Sequence, residues 1–311
     1  MCSAWIRAGS CPKSTWPSDV SLEIRPLATV DEVRACEELQ LQAWQMPDYR
    51  EVVPLHMMIA VVKGGGLLLG AFDGGELLGF VFGFPGITAG GRLKHYSHML
   101  AVRPGVQGRG IGRRLKLAQR QAILARGLDL VTWTYDPLES RNAALNLDRL
   151  GTVCRTYIRD LYGAMTDGLN AGLPTDRFEV EWWLASEHVA RRLTGEGGRS
   201  PVESVPVNVT RPAPGGFRRP GSIDLTRDAP VIEVEVPADY QALKAGAPAL
   251  ALEWRLATRQ IFESYFAAGY TAVDFAQRRA GGERRSYYLL ARDLPEARHE
   301  QPAADLDLLI G

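Results

Sequence analysis

The sequence predicts an α/β protein in which a mixed sheet is flanked by helices. Three observations predict this class. Strand and helix patterns alternate in the order βααβββαβαβ between residues 22 and 163. A turn with three closely spaced glycines, in "VRPGVQGRGIGRRL" at residues 102–115, joins a strand to an amphipathic helix. A second set of strands and helices follows a segment rich in glycine and proline.

The elements before the glycine turn are a strand, two helices and three further strands. Their expected ranges are residues 22–27, 32–45, 54–62, a pair of strands within 67–84, and 92–102. Asp31 is the expected N-cap of the first helix. The paired strands meet at Asp73, Gly74 and Gly75, which is a strong hairpin signal. The last strand runs directly into the glycine turn.

The elements after the turn complete the first sheet. The helix that follows the turn is expected to bury Ile111, Leu115, Ala118 and Ala122 and to stop at Gly127. Then come a strand, a short helix and another strand, at residues 128–136, 140–151 and 153–163. A strand that leads into a helix through glycines is a setting in which backbone N–H groups bind an anion.

Composition divides the remaining chain. Residues 1–20 are read as a disordered tail and residues 21–194 as the first domain. Residues 195–222 contain six glycines and five prolines, which predicts a linker. Residues 223–311 are read as a smaller α+β unit with a long helix at 248–268 and a hairpin across Gly281 and Gly282. Packing of this unit as an extension of the first sheet is left open.

Charge and cysteine usage exclude several function classes. Lys plus Arg and Asp plus Glu both number 36, so no net charge recruits nucleic acid. The longest apolar runs are far shorter than the roughly 20 residues of a membrane span, and the N-terminus lacks the apolar core of a signal peptide. The four cysteines show neither a CxxC pair nor metal-ligand spacing. A cytoplasmic, reduced protein without a metal is expected.

The glycine turn fits neither of two common phosphate loops. A Walker loop requires GxxxxGK[ST], which does not occur in the sequence. The dinucleotide fingerprint GxGxxG requires an acidic residue at the end of a second strand, whereas the glycines here are spaced GxGxG and Asp129 lies just past the helix.

The turn instead resembles the acyl-CoA motif of the GNAT acyltransferases, Q/R-x-x-G-x-G/A, and the element order over residues 22–163 is similar to that family. The resemblance implies a GNAT-type sheet, acetyl-CoA or succinyl-CoA as co-substrate, and a bulge in the strand at residues 100–102. It assigns the CoA contacts to Leu100, Ala101, Val102, Gln107, Gly108, Arg109, Gly110, Ile111, Gly112, Arg113, Ser140 and Asn142. Ser140 has a second reading as a helix N-cap.

The resemblance also suggests catalytic groups. His98 corresponds to a histidine that faces the acceptor amine in arylalkylamine N-acetyltransferases, and an imidazole suits the base; the alternative is a histidine that packs beside the cleft. His95 is expected nearer the outer end of its strand. A backbone N–H near Leu100 would polarise the thioester carbonyl.

The acid that meets the departing thiolate is uncertain on the sequence. The family's tyrosine position is occupied by Leu147. Either another phenol reaches the sulfur, with Tyr157 chosen over Tyr135 and Tyr162, or the thiolate leaves unassisted.

Further segments bear on the acceptor. "DPLESRNAALNLDRLG" and "GLPTDRFEVEWW" resemble a bacterial GNAT group that is linked to N-succinylation of amino acids. The prediction is therefore an N-acyltransferase for a small amine, with an amino acid favoured; a protein N-acetyltransferase and a non-catalytic acyl-CoA sensor are the alternatives. A homodimer is left open.

Five charged residues have open roles. Glu179 and Glu181 share one strand face, where they bind an ammonium group or face solvent, with solvent favoured for at least one. Arg177 and Arg255 are candidates to hold a substrate carboxylate. For Arg255 and Arg259 on the long helix, a surface stripe beside an apolar face is the preferred reading.

Overall fold

The computed structural model of the protein describes residues 22–163, 172–195 and 203–292, so the predicted tail at residues 1–20 lies outside them. The strands are β1 Glu23–Pro26, β2 Leu67–Asp73, β3 Glu76–Ile87, β4 Leu93–Val102, β5 Leu130–Tyr135, β6 Val153–Ile158, β7 Arg177–Trp183, β8 Val205–Pro206, β9 Asn208–Pro212, β10 Arg218–Ile223, β11 Val231–Val236, β12 Tyr270–Ala280 and β13 Glu283–Arg292. The helices are α1 Val30–Trp44, α2 Leu55–Lys63, α3 Ile111–Leu124, α4 Ser140–Ala143, α5 Glu187–Thr194, α6 Tyr240–Gly246 and α7 Pro248–Ala267.

The strands form a large sheet in the order β1-β2-β3-β4-β5-β7-β6-β12-β13-β11-β8, beside a separate pair of β9 and β10. Neighbouring strands are antiparallel except for the parallel pairs β4 with β5 and β11 with β8. The α/β class with a mixed sheet between helices is confirmed. Both predicted hairpins are present, at β2–β3 and at β12–β13.

The two faces of the sheet have different cores. α1 and α2 pack on one face, against Phe72, Phe80 and Phe82 of β2 and β3. On the other face, one continuous hydrophobic core runs from Ile111 of α3 to Phe262 of α7. Because this core passes under both halves of the chain, burial of apolar surface holds them together.

Local details differ from the sequence expectations. The first helix starts earlier than predicted, and its N-cap is Thr29 rather than Asp31: Thr29 and Glu32 form a capping box, which satisfies two backbone donors. The segment read as a linker, residues 195–222, contains β8, β9 and most of β10. Its prolines do not prevent these strands because proline is tolerated at sheet edges.

The C-terminal part of the chain continues the first sheet. β12 pairs with β6 through a single residue pair, Ala272 with Cys154. Beyond that pair, side chains make the connection, as described below for α7. The division of the chain into two domains stays a prediction, and the structure adds that both parts share one sheet and one core.

α7 directs two arginines to buried carboxylates, Arg255 from the interior and Arg259 from a partly exposed position, which corrects the reading of a surface stripe. Arg255 is 1% exposed and donates to Asp136 Oδ2 at 2.5 Å. Arg259 makes two hydrogen bonds of 2.8 Å to Asp176, which is fully buried. The charged side of the helix is buried because carboxylates from the first sheet meet it, and a pattern of hydropathy along one helix cannot show such partners.

Candidate active site

The central feature of the candidate site is the separation of β4 from β5. Their parallel pairing consists of two residue pairs, His95 with Val131 and Tyr96 with Thr132. Past these pairs both strands continue, β4 to Val102 and β5 to Tyr135. The strands therefore diverge and leave a cleft between their C-terminal halves.

The backbone of β4 presents hydrogen-bonding groups to this cleft. Arg103 donates its N–H to the Leu78 carbonyl on the β3 side, at 2.8 Å. Because backbone groups of successive strand residues point to alternate sides, Leu100 and Val102 face β5 across the cleft. Ala101 faces β3 and is 1% exposed, so its predicted role as a CoA contact is not supported by its orientation. Leu100 and Val102 are placed as the resemblance implies.

A β-bulge lies at the point of separation. Phe82 pairs with Met99, and Phe84 pairs with Tyr96, so β4 holds one extra residue there. The bulge includes His98 and precedes the expected position at residues 100–102. Its physical effect is to turn the side chain of His98 outward while the neighbouring residues remain in the strand.

His98 is exposed on the rim of the cleft, beside three aromatic rings. Its ring centre lies 6.2 Å from Phe82, 5.9 Å from Phe84 and 6.3 Å from Tyr96. Partial removal from water lowers the pKa of His98 from its ordinary value of 6.5. At neutral pH the imidazole is therefore uncharged and able to accept a proton, as the predicted base requires.

His95 differs from the expectation. It is 1% exposed and contacts Gln119 Nε2 of α3 at 3.1 Å, so it lies in the interior and not at an outer end of β4. Burial, with the nearby Lys116 and Arg126, lowers the pKa of His95 to about 3. Strand alternation accounts for this position, because His95 precedes the bulge and points toward α3.

The glycine turn leads into the N-terminus of α3. Gly110 is the N-cap and has a φ of 80°, a left-handed conformation that glycine adopts without strain. No side chain caps this end of the helix, and a Cβ at Gly108 or Gly110 would meet no atom within 4 Å. The first N–H groups of α3 therefore face an open surface, which is the arrangement that binds a phosphate.

The first turn of α3 is contiguous with the cleft. A Cβ at Gly112 would lie 3.6 Å from Leu100 and 3.8 Å from Val102, so this turn packs along the part of β4 that faces β5. The Ile111 side chain is buried, which leaves its backbone N–H as the group available to a ligand. A molecule with a phosphate end and a narrow arm fits the turn and the cleft together.

The polar side chains in and after the glycine turn point in different directions. Gln107 donates to the Val102 carbonyl at 3.2 Å and accepts from Arg141 at 2.9 Å, so it closes the turn against β4 and α4. Arg109 is exposed at the tip. Arg113 donates to the Leu193 carbonyl at 3.3 Å, which directs it toward α5 and away from the predicted pyrophosphate contact.

α4 supplies less to the site than expected. Ser140 is 2% exposed, and its hydroxyl donates to the Pro237 carbonyl at 2.6 Å. It is the first residue of α4 and not its N-cap, which is Glu139. The C-terminal part of the chain covers Ser140, so neither of its two expected roles is supported. Asn142 is exposed, and Leu147 is fully buried in the core.

The predicted acid, Tyr157, lies away from the cleft. It is on β6, which is separated from β4 by β5 and β7. Its hydroxyl donates to Asp176 at 2.6 Å and its ring stacks on Phe262 of α7. Burial and the Asp176 carboxylate raise the pKa of Tyr157 far above its usual value. The structure does not bring Tyr157 together with His98, because β6 faces α7.

A different phenol lies beside the cleft. The Tyr162 hydroxyl is 3.1 Å from Thr134 Oγ1, and Thr134 is on β5 two residues past the last residue paired with β4. Tyr162 is 47% exposed. Tyr96, which the sequence analysis did not single out, lies near both groups; burial and Tyr162 raise its pKa to about 12. Its signal in the sequence was its position two residues before His98.

The same face of the sheet carries a set of ion pairs. Glu179 lies 3.3 Å from Lys94, and Glu181 lies 3.0 Å from Arg155. Both carboxylates are half-buried, so neither faces open solvent as was favoured for one of them. Arg177, at the start of β7, is 5.2 Å from the Tyr162 ring and 3.8 Å from Asp136. It thus lies within reach of the face that holds Tyr162.

Two further properties concern the described residues. Within residues 22–163, 172–195 and 203–292, no group of His, Cys, Asp and Glu side chains could hold a metal ion. Among the helices in these ranges, none is long and apolar enough to cross a membrane.

The cleft and the exposed His98 lie along β4, and the uncapped N-terminus belongs to α3, the helix that follows this strand. Residues 32–151 match the acetyltransferase (GNAT) family. This match covers less than half of the 311 residues of the chain.

Solved structures similar to the chain cover about half of it. The PaiA N-acetyltransferase from Thermoplasma acidophilum, in complex with coenzyme A, is 21% identical over 52% of this chain and 98% of that chain, with a TM-score of 0.38. The ribosomal-protein-S18-alanine N-acetyltransferase from Escherichia coli is 17% identical over 53% and 95%, with a TM-score of 0.41. An aminoglycoside 6'-acetyltransferase type Ii is 17% identical over 53% and 98%, with a TM-score of 0.42. No curated protein matches the chain.

Proposed function

We propose that the protein transfers an acetyl or succinyl group from CoA to the amine of a small molecule, and that this molecule is an amino acid. The observation that supports it most directly is the exposed His98 at the head of the β4/β5 cleft, on the face that also holds Tyr162 and Arg177. In this proposal His98 is the base, Tyr162 is the acid and Arg177 is the cation that binds the acceptor.

Each group has a role in this proposal. Neutral His98 accepts a proton from the acceptor ammonium, directly or through a water. The Leu100 N–H donates to the thioester carbonyl oxygen and stabilises the charge that develops there. The Tyr162 hydroxyl donates a proton to the departing thiolate, in place of the predicted Tyr157. Transfer then occurs directly between the two bound substrates.

Arg177 is the group that we propose binds the acceptor's carboxylate. Its guanidinium lies against the Tyr162 ring, and guanidinium groups bind carboxylates with two parallel hydrogen bonds. Arg177 is 7% exposed and lies 3.8 Å from Asp136, whereas Arg255, the other candidate, is 1% exposed and donates to Asp136 at 2.5 Å.

The acceptor is tested by a screen with acetyl-CoA and succinyl-CoA in parallel, read out as thiol release. We expect amino acids to react and their decarboxylated amines to react at least tenfold more slowly, because Arg177 would lose its partner. Arg177→Met should raise the KM for an amino acid and leave that for the decarboxylated amine unchanged. Equal rates for both compounds would contradict the amino-acid assignment, and turnover of peptides alone would favour the protein acetyltransferase.

The acid is tested by two matched variants. Tyr162→Phe should lower kcat at least tenfold, whereas Tyr157→Phe should change stability and leave kcat near that of the parent, because its hydroxyl serves Asp176. The reverse result would restore the assignment to Tyr157. Tight CoA binding without turnover of any amine would indicate a sensor.

A further inference from the structure

Lys116 is a buried lysine that the mechanism above does not use. It lies on the side of α3 that faces the sheet, is 2% exposed, and has no acidic partner among the contacts of its ammonium nitrogen. Nζ donates to Ser97 Oγ at 3.0 Å and to Gln119 Oε1 at 2.9 Å. Full burial places its pKa well below 10.5. Burial of such a group costs free energy, which calls for a physical reason.

The contacts of Nζ coincide with the point where the sheet divides. The last paired residues of β4 and β5 are Tyr96 and Thr132. The next residue of β4 is Ser97, which is hydrogen-bonded to Lys116, and the next residue of β5 is Trp133, whose ring centre is 3.4 Å from Nζ. One atom therefore touches the first residue of each strand beyond the pairing.

The same contacts extend to the catalytic side of β4. Ser97 is part of the bulge that turns His98 outward, and it is also bonded to Gln119 of α3. α3 begins at the uncapped N-terminus that faces the glycine turn. Lys116 and Gln119 thus connect the helix that would hold the phosphates with the bulge that carries the base.

We propose that Lys116 is a positioning residue that sets the apex of the β4/β5 cleft and thereby the placement of the acyl group against His98. This proposal rests on the acyl-transfer function given above. On the face of the sheet that α3 covers, the side chain contacts the Ser97 hydroxyl of β4 and the Trp133 ring of β5. It holds them at a fixed separation, so that the arm of CoA can lie between Leu100 and β5 with its thioester at a defined depth.

The test compares Lys116→Met with the exposed control Lys63→Met. Methionine keeps the length and the contact with Trp133, and Ser97 and Gln119 still satisfy each other. Calorimetry would measure binding of CoA and of 3′-phosphoadenosine 5′-diphosphate, which is CoA without its arm. We expect Lys116→Met to bind the nucleotide as the parent does, to lose at least tenfold in CoA affinity, and to lose at least tenfold in kcat. Lys63→Met should match the parent in all three.

Other outcomes are equally informative. Equal weakening of CoA and of the nucleotide would show that α3 itself has moved and would overturn the positioning role. Unchanged CoA affinity and kcat would overturn it as well. Should Lys116→Met fail to fold, Ser97→Ala removes the contact to β4 alone and is expected to lower kcat in the same direction; an unchanged kcat would then decide against the proposal. Absence of CoA binding by the parent would instead refute the acyl-transfer function.

Discussion

The sheet contains two places where neighbouring strands barely pair, and they have opposite characters. β4 and β5 share two residue pairs, and β6 and β12 share one. At the first place the strands diverge beside an uncapped helix and leave a cleft. At the second, α7 packs across the join, with Phe262 stacked on Tyr157 and 4.7 Å from Phe178. Weak main-chain pairing therefore accompanies an open cleft between β4 and β5, but a closely packed junction between β6 and β12.

Side chains make the difference. The junction is closed by buried ion pairs from α7, Arg255 with Asp136 and Arg259 with Asp176, and by aromatic rings of both halves. At the cleft, the buried amine of Lys116 contacts Ser97 and Trp133, the first residues past the paired part of β4 and β5. The backbone of β4 past this point faces the cleft. The junction between β6 and β12 is closed because oppositely charged groups and apolar side chains pack across it.

The largest effect is expected from removing one partner of the ion pair between Arg255 of α7 and Asp136. Arg255→Met would leave the Asp136 carboxylate, which is 8% exposed, without its closest partner. Loss of one partner of a buried pair costs about 3–5 kcal/mol, because the remaining charge is desolvated. Urea unfolding monitored by tryptophan fluorescence measures the loss. Arg219→Met is the control: its pair with Glu253 is about half exposed, so the change should stay within about 1 kcal/mol. Equal losses in the two variants would contradict a closely packed junction.

The next largest effect concerns catalysis at the cleft. His98→Ala should lower kcat/KM roughly a hundredfold, which is the typical contribution of a general base, and should leave CoA affinity intact. In the parent, kcat/KM should fall as the pH drops through the lowered pKa of His98, below 6.5, because the protonated ring cannot accept a proton. His98→Ala should lose this acidic limb, and the exposed His56→Ala should keep it. An unmoved pH profile in His98→Ala would assign the base to another group.

Parts of this arrangement were predictable from the sequence and parts were not. The hairpin at Gly74 and the helix after Gly110 follow from local turn chemistry, which a sequence shows directly. The buried face of α3 was only half correct: the structure buries Lys116 and Gln119, whereas hydropathy favoured Ala118 and Ala122. Lys116 and Gln119 are buried because side chains of β4 and β5 contact them. Such partners are distant in sequence, and no helical period reveals them.

The same limit applies to Tyr157. Its sequence position, on the strand after the short helix, was compatible with a place near the thiolate. Its actual surroundings are set by Asp176 and by Phe262, which is more than a hundred residues away in the chain. Because α7 of the C-terminal part packs on β6, the Tyr157 hydroxyl lies away from the cleft. Tyr162 could be named as an alternative from the sequence, but its choice depends on the contact with Thr134.

A smaller effect is expected at the glycine turn, next to the open end of the cleft. Gly110→Val should lower CoA affinity at least tenfold, about 1.4 kcal/mol, because a branched side chain would stand in the empty space before the first N–H groups of α3. Gly127→Val is the matched control. Gly127 has a φ of 77° and equally open surroundings, but lies beyond the opposite end of α3. Both variants bear the same backbone strain, so a calorimetric difference between them isolates the ligand contact. Equal affinities would remove the phosphate site from this turn.

The last expected effect concerns Lys116 at the apex of the cleft and is measured as a pH dependence of the free energy of unfolding. Burial lowers the pKa of Lys116 well below 10.5 in the fold, whereas the amine is exposed to water in the unfolded chain. The unfolded state therefore binds one more proton, so the free energy of unfolding rises with pH between the folded pKa and 10.5, by at most about 1.4 kcal/mol per pH unit. Lys116→Met should lack this rise, and Lys63→Met should retain it. The measured quantity is the difference between the parent and Lys116→Met from pH 7 to 8.5, in which the titrations that both share, such as those of Glu139, His95, Tyr135 and Cys154, cancel. Parallel pH curves for the parent and Lys116→Met would mean that this lysine is protonated in the fold.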